Sequence, residues 1–242
     1  MSSLAIFAPG RAGSGPPANE NDFPSDPAEH DLGYTASKWA AERLVRQAGE
    51  RGLAVTVFRP GLILAHSRTG VANRSDLLTR LIRSWILLGV APDVETAVDL
   101  TPVDFVSRAM VRLSLSPGSA GRTYHLRNRS TVPLGRLVEW LCDEGYRIRR
   151  VSYDDWLAAM ARHDSDEASR LLQEFLAGPA GRRYLQAPPG STLLDRLADG
   201  SSAQALEQGG IVCPEPGPEL LKVCLAHLRS TGWLPPPAAT PG

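Results

Sequence analysis

Gly33-Tyr34-Thr35-Ala36-Ser37-Lys38-Trp39-Ala40-Ala41-Glu42-Arg43-Leu44-Val45 is the stretch on which the reading of this chain turns. Read as a helix, it puts Tyr34 and Lys38 at positions i and i+4, which share one face. A phenol and an ammonium so placed can act as one unit. The cation stabilises a phenolate and readies it for proton transfer to or from a carbonyl oxygen. Exposed i,i+4 pairs are also common surface features. The surrounding sequence has to decide between the two.

Upstream, Ser2-Ser3-Leu4-Ala5-Ile6-Phe7 reads as a short buried strand, followed by a Gly-, Pro-, Asn- and Asp-rich loop from Ala8 to about His30. The Tyr34/Lys38 helix ends near Gly49 to Gly52. Leu53-Ala54-Val55-Thr56-Val57-Phe58-Arg59 is a β-rich run closed by Pro60-Gly61. Strand, helix, strand predicts a parallel sheet with a right-handed crossover. Downstream, Arg74 to Leu88 has helical spacing and Thr96 to Leu100 is extended. Pro102 to Leu115 is helical, with Pro102 in its first turn and Asp104 complementing the dipole. Thr123-Tyr124-His125-Leu126 is a strand, Leu134 to Glu144 an amphipathic helix, and Arg147 to Ser152 extended again. From Tyr153 the character changes. Helical stretches Asp154 to Arg162 and Asp166 to Leu176 precede a Gly/Pro-rich segment, a last helix from about Pro218 to Ser230, and a Pro-rich tail. The expected class is α/β: a parallel sheet over residues 1–128, followed by a smaller, mostly helical lobe over 129–242.

Composition narrows the function. The 242 residues are 43% hydrophobic and carry no net charge, which fits a globular protein and argues against nucleic acid or a membrane surface as partner. No apolar run approaches the roughly 20 residues of a membrane span, and the N-terminus lacks the pattern of a signal peptide. Cys142, Cys213 and Cys224 are scattered and odd in number, as expected of buried thiols in a reducing compartment. The histidines form no ligand-spaced cluster. The expectation is a cytoplasmic protein without a structural metal. Trp39, Trp85, Trp140 and Trp156 read as core residues. Arg59 reads equally as a cation satisfying carbonyls at the strand end or as a cofactor contact, and His125 as structural.

Together these stretches resemble the extended short-chain dehydrogenases/reductases. More narrowly they resemble the thioester reductase domains that end nonribosomal peptide synthetases, polyketide synthases and carboxylic acid reductases. Ser2 to Phe7 resembles the family's catalytic Ser/Thr strand, Tyr34 to Glu42 its Tyr/Lys helix, and Phe58-Arg59-Pro60-Gly61-Leu62-Ile63 the strand and turn beside the nicotinamide. Leu100-Thr101-Pro102-Val103-Asp104-Phe105-Val106 and Thr123 to Asn128 resemble later family segments. Ser230-Thr231-Gly232-Trp233-Leu234-Pro235 is similar to the usual end of these domains.

The resemblance implies a mechanism. Ser3, favoured over Ser2 by its spacing from Phe7, hydrogen-bonds the carbonyl oxygen. Tyr34 supplies the proton, while Lys38 favours the phenolate and touches the nicotinamide ribose. Pro60, Gly61, Leu62 and Ile63 line the nicotinamide pocket. The cofactor is NADPH in preference to NADH. The substrate is an acyl or peptidyl thioester on the phosphopantetheine arm of a carrier protein, reduced to aldehyde or onward to alcohol. The helical lobe would face substrate and carrier. Its Arg162, Arg170, Arg182 and Arg183 would meet an acidic carrier, or else form a solvated face.

The resemblance covers only about half of the family domain, and so implies an incomplete Rossmann-like parallel sheet, the second half of the extended fold. The Gly-rich turn that receives a dinucleotide pyrophosphate is absent. Gly10-Arg11-Ala12-Gly13-Ser14-Gly15 lacks the strand-turn-helix context that such a turn needs. Three accounts fit: a reading frame that begins upstream, a split reductase completed by another polypeptide, or a redox-inactive remnant that binds a carrier or partner. Met1 stands where the family has an apolar strand residue, which favours the first. Outside this narrower group, the remaining alternative is an extended dehydrogenase acting on sugar nucleotides or steroids. The loop before Tyr34 and the Thr101-Pro102-Val103-Asp104 segment weigh against it.

Overall fold

A computed structural model describes residues 1–7, 17–24, 33–163, 167–187, 192–198 and 200–237. Most of the expected loop from Ala8 to His30, including the glycines between Gly10 and Gly15, lies outside these residues. In chain order the regular elements are α1 (Gly33–Glu50), β1 (Val57–Pro60), α2 (Leu77–Leu88), β2 (Val90–Pro92), β3 (Ala97–Val98) and α3 (Val103–Ser114). They continue with β4 (Thr123–Leu126), β5 (Val132–Pro133), α4 (Leu134–Asp143), β6 (Arg149–Val151), α5 (Tyr153–Arg162) and α6 (Glu167–Ala177). The last are α7 (Pro179–Leu185), α8 (Ser201–Gln208) and α9 (Pro218–Ser230). β1/β4 and β2/β6 are parallel pairs, whereas β3/β5 is antiparallel. The α/β class is that expected from the alternation of elements.

The chain forms two compact units that interleave along the sequence. The first comprises residues 1–63, 99–130 and 190–215; the second comprises 64–98, 131–189 and 216–242. The first is built on β1 and β4. Val57 pairs with Thr123, Phe58 with Tyr124, Arg59 with His125 and Pro60 with Leu126. Alternate residues of a strand face opposite sides of the sheet. Phe58, Tyr124 and Leu126 pack with Phe105, Val106, Ala109 and Leu113 of α3 and with Leu206 of α8. Arg59 and Thr123 face α1, whose Glu42 and Arg46 hydrogen-bond to them. The free edge of β4 is covered too: His125 N–H donates to Ser202 Oγ of α8 (3.0 Å). That satisfies a backbone donor that an open sheet edge would leave exposed.

The expected strand at Ser2 to Phe7 is instead a 3-10 turn over Leu4–Phe7. One ladder-like bond survives, from Ser2 N–H to Phe58 O at 2.7 Å. The run then turns away because Ser3 offers the backbone a local partner. Its hydroxyl accepts from Ala5 N–H (3.1 Å) and its carbonyl from Ile6 N–H (3.3 Å). Such short-range serine bonds compete with sheet pairing. Leu4 and Ile6 are buried, as an apolar run requires.

The second unit is mostly helical. Asp76 caps α2 by accepting from Thr79 N–H (3.0 Å). The helix ends at Gly89, whose φ of 66° is the left-handed C-cap conformation that glycine adopts without strain. Leu78, Leu81, Ile82 and Trp85 form its buried stripe. Trp85 and Trp156 are fully enclosed and Trp140 is nearly so, as expected. Trp39, in the first unit, is only half-buried, because its indole N–H reaches out to Pro24 O (2.7 Å). Of the cysteines, Cys224 is buried and Cys213 partly so. Cys142 is exposed, contrary to the expectation for all three, since the far side of α4 faces solvent at that position. Among the described residues no helix is long and apolar enough to cross a membrane, and no cluster of His, Cys, Asp and Glu could hold a metal.

Candidate active site

α1 presents Tyr34 and Lys38 together. The Lys38 ammonium lies 5.9 Å from the centroid of the Tyr34 ring. Tyr34 is 58% exposed, and Lys38 is half-buried. Among the described residues neither the Tyr34 hydroxyl nor the Lys38 ammonium is engaged in a hydrogen bond or ion pair. An available phenol beside an available ammonium is the arrangement that a proton donor to a carbonyl requires.

Ser3 is buried, and its hydroxyl is occupied by Ala5 N–H. The 3-10 turn that follows it packs against α1. Among the described residues no hydrogen bond joins Ser3 to Tyr34. The structure therefore brings the elements of the three residues together without aligning Ser3 Oγ on the phenol.

The turn Pro60 to Ile63 leaves β1 with its backbone internally satisfied. Gly61 N–H donates to Leu126 O (3.0 Å), and Thr101 N–H donates to Leu62 O (3.1 Å). Leu62 N–H donates to both carboxyl oxygens of Asp99, at 3.1 and 3.3 Å. What the turn still offers is the half-buried apolar surface of Leu62 and Ile63. That surface fits the flat, largely apolar face of a nicotinamide ring better than it fits a phosphate.

Asp99 was not evident as a site residue from the sequence. It stands in the apolar context Val98-Asp99-Leu100, where a carboxyl is unusual, and that is the signal that could have marked it. Asp99 is 3% exposed. Burial pushes its pKa from 3.8 up to about 7, against the opposing pull of the Leu62 N–H and the Thr101 hydroxyl. It also sets the size of its neighbour: a Cβ on Gly61 would lie 1.8 Å from Asp99 Oδ2.

A second charged centre lies under α1. Glu42, one helical step beyond Lys38 on the same side, is buried. Arg59 reaches it with both arms of its fork, Nη2 to Oε1 at 2.6 Å and Nε to Oε2 at 3.1 Å. Both side chains are fully enclosed. Burial alone would raise the Glu42 pKa, but the hydrogen bond and charge of Arg59 outweigh it and leave the group lowered and ionised. Arg46 Nε adds a further bond to Glu42 Oε1 (2.9 Å). Arg59 also donates to Asp22 O (2.8 Å) and Glu20 O (3.4 Å), and its guanidinium lies 4.8 Å from the centroid of the Phe7 ring. Of the two readings of Arg59, the carbonyl-satisfying one matches this environment, with the addition of a buried carboxylate that the sequence did not reveal.

His125 completes the centre. Its Nε2 sits 3.2 Å from Arg59 Nη1. A guanidinium can only donate, so Nε2 accepts and the proton resides on Nδ1, which is buried with no partner among the described residues. Burial, followed by the Arg59 and Arg127 charges, pushes the His125 pKa down to about 3. The imidazole stays neutral and structural.

Residues 6–110 match the family model described as Male sterility protein, an NAD-binding domain model. The isonitrile lipopeptide synthase of Streptomyces coeruleorubidus is 35% identical over 214 residues, spanning 87% of this chain and 14% of its own length. The L-2-aminoadipate reductase of Saccharomyces cerevisiae is 31% identical over 219 residues, covering 85% of this chain and 15% of that protein. Among solved structures, the terminal R domain of the myxalamid PKS-NRPS pathway superposes with a TM-score of 0.82 at 36% identity. That superposition covers 98% of this chain and 58% of the R domain chain. The chain thus spans a small fraction of the curated relatives it matches and a little over half of that R domain.

Proposed function

Because this chain belongs to the extended short-chain dehydrogenase/reductase family, with reductase domains among its relatives, we propose that it carries the proton-relay part of an NADPH-dependent thioester reductase. The observation that supports this most directly is the Tyr34 phenol beside the Lys38 ammonium on α1, neither of them engaged among the described residues. The substrate would be an acyl or peptidyl thioester held on a carrier-protein pantetheine arm, and the product an aldehyde that ends the chain. A reduction of this kind is a chain-release step in natural-product assembly.

In this reading Tyr34 gives its hydroxyl proton to the carbonyl oxygen of the thioester as the carbonyl carbon is reduced. The Lys38 ammonium offsets the negative charge left on the phenol oxygen. Ser3 holds the carbonyl oxygen once its hydroxyl turns from Ala5 N–H toward the substrate. The hemithioacetal so formed then expels the pantetheine thiol and leaves the aldehyde. Pro60, Gly61, Leu62 and Ile63 would line the nicotinamide, and Lys38 would contact its ribose. Bound NADPH supplies the hydride.

The helical second unit is the candidate for the face turned to the acyl chain and the carrier. Arg182 already pairs with Asp154 (2.9 Å) and stacks over Tyr153, so it is a weaker candidate for an acidic carrier than an unpaired arginine would be.

The test is reduction of a carrier-bound thioester by the complete gene product, followed by NADPH oxidation and aldehyde trapping. Tyr34→Phe removes the proton donor and should lower kcat by at least about a hundredfold with little change in KM. Full activity in Tyr34→Phe would refute the mechanism. Oxidation of NADH in strong preference to NADPH would refute the cofactor assignment.

A further inference from the structure

The residues assigned to the relay lie on three separate pieces of chain: the turn after Ser3, helix α1, and the turn after β1. α1 is an unusual helix to find docked. Its fully buried residues are Thr35 and Glu42, and its one large aromatic besides Tyr34, Trp39, is half-buried and stacked on Phe23, so among the described residues no continuous buried apolar stripe fixes it in place. One side chain reaches all three pieces. The Arg59 fork grips Glu42 of α1 at 2.6 and 3.1 Å, and its guanidinium face covers Phe7 in the turn that follows Ser3. Its own backbone runs directly into Pro60 and Gly61. Glu42 stands eight residues from Tyr34 and four from Lys38, so it shares their side of the helix. Holding Glu42 therefore fixes the rotation and axial position of the relay face.

We propose that Arg59, acting through Glu42 and Phe7, is a positioning residue that holds Tyr34, Lys38 and Ser3 in register with the Pro60–Ile63 turn. The inference rests on the proposed reductase reading for its catalytic consequence, but the tie among the three pieces stands independently of that reading. A bidentate, fully enclosed pair is suited to the role because it tolerates neither sliding nor rotation. An apolar contact would permit both. The remaining Arg59 bonds, to Glu20 O, Asp22 O and His125 Nε2, hold the guanidinium itself still.

Amide hydrogen exchange of the 242-residue chain tests the tie without requiring turnover. Arg59→Lys keeps a cation opposite Glu42 but cannot make the fork. Glu42→Gln keeps shape but removes the charge. Each should raise exchange at least about tenfold in residues 1–7 and 33–45. α3, on the opposite face of the sheet, should keep its protection. Unchanged exchange in 33–45 would overturn the proposal, and so would an equal rise throughout the first unit, which marks general loss of stability. In the complete gene product, both variants should lower kcat for thioester reduction more than tenfold at near-constant KM. A loss confined to KM would overturn the positioning role. Tyr34→Phe is the control. If it stays active, the reductase mechanism fails while the exchange result still decides the tie. If it is inactive with native exchange, the mechanism stands whatever Arg59 does.

Discussion

Asp99→Asn should change how the stability of this protein depends on pH, and the size of the change follows from two buried groups. Asp99 binds its proton more tightly in the folded state, with a pKa of about 7 against an ordinary 3.8. Its contribution is therefore fully present below 3.8 and is lost as pH rises through about 7. His125 behaves in the opposite way. Its folded pKa of about 3, against an ordinary 6.5, gives a contribution present above 6.5 and lost as pH falls toward 3. Each gap is about three pH units, at about 1.4 kcal/mol per unit. Between about pH 4 and 6.5 the two slopes are of similar size and opposite sign, so they cancel in the native chain. Asparagine does not titrate and can still accept from Leu62 N–H. Replacement removes the Asp99 slope and leaves that of His125. Relative to the native chain, the variant should gain about 3 kcal/mol on going from about pH 4.5 to 7.5. Any pH-independent cost of the altered bond to Thr101 drops out of that difference. Urea melts at the two pH values measure it directly. A difference that stays constant with pH would show that Asp99 is already ionised in the folded chain, and would refute the reasoning.

Two further outcomes are expected. Gly61→Ala should destabilise by about 1–3 kcal/mol through overpacking, since its methyl carbon would fall 1.8 Å from Asp99 Oδ2; Asp99→Ala in the same chain should recover part of that loss, and strict additivity in thermal melts would argue against the clash. Burial pushes the Cys213 and Cys224 thiols up to about 12, so a thiol-specific disulfide reagent at about pH 8 should label exposed Cys142 first; equal labelling of all three in the folded chain would contradict the burial described.

The elements that could be read from sequence are those whose signals are local. β4 matches its β-branched and aromatic run residue for residue, and α9 begins at the proline that marks its first turn. α7 uses the same proline signal at Pro179, but its Gly/Pro-rich surroundings read as irregular. β2 and β5 are two or three residues long and end in proline, too little for a periodicity to register. The apolar run at Leu4–Phe7 carried the composition of a strand, and its turn depends on a single serine hydroxyl. In the site, the Tyr34/Lys38 pair was visible because helical spacing alone brings the two together. The Glu42–Arg59 fork spans a helix and a strand, and Asp99 reaches the turn after β1 across 37 residues. Neither pairing has a spacing rule. Neither Glu42, inside a helix motif, nor Asp99, within an apolar run, was marked by the sequence as a site residue.

The enclosed fork between Glu42 and Arg59 also constrains how this sequence can drift over time. Removing one partner of a buried pair strands the other charge in a medium that cannot solvate it, at a cost of about 3–5 kcal/mol. That is a large share of the stability of a typical domain. Swapping both partners at once for apolar residues of matching volume can be nearly neutral for folding. The single-step paths between those two states are closed. Relatives 31% and 35% identical to this chain differ from it at most aligned positions. Across such divergence the physical expectation is that Glu42 and Arg59 change together or not at all.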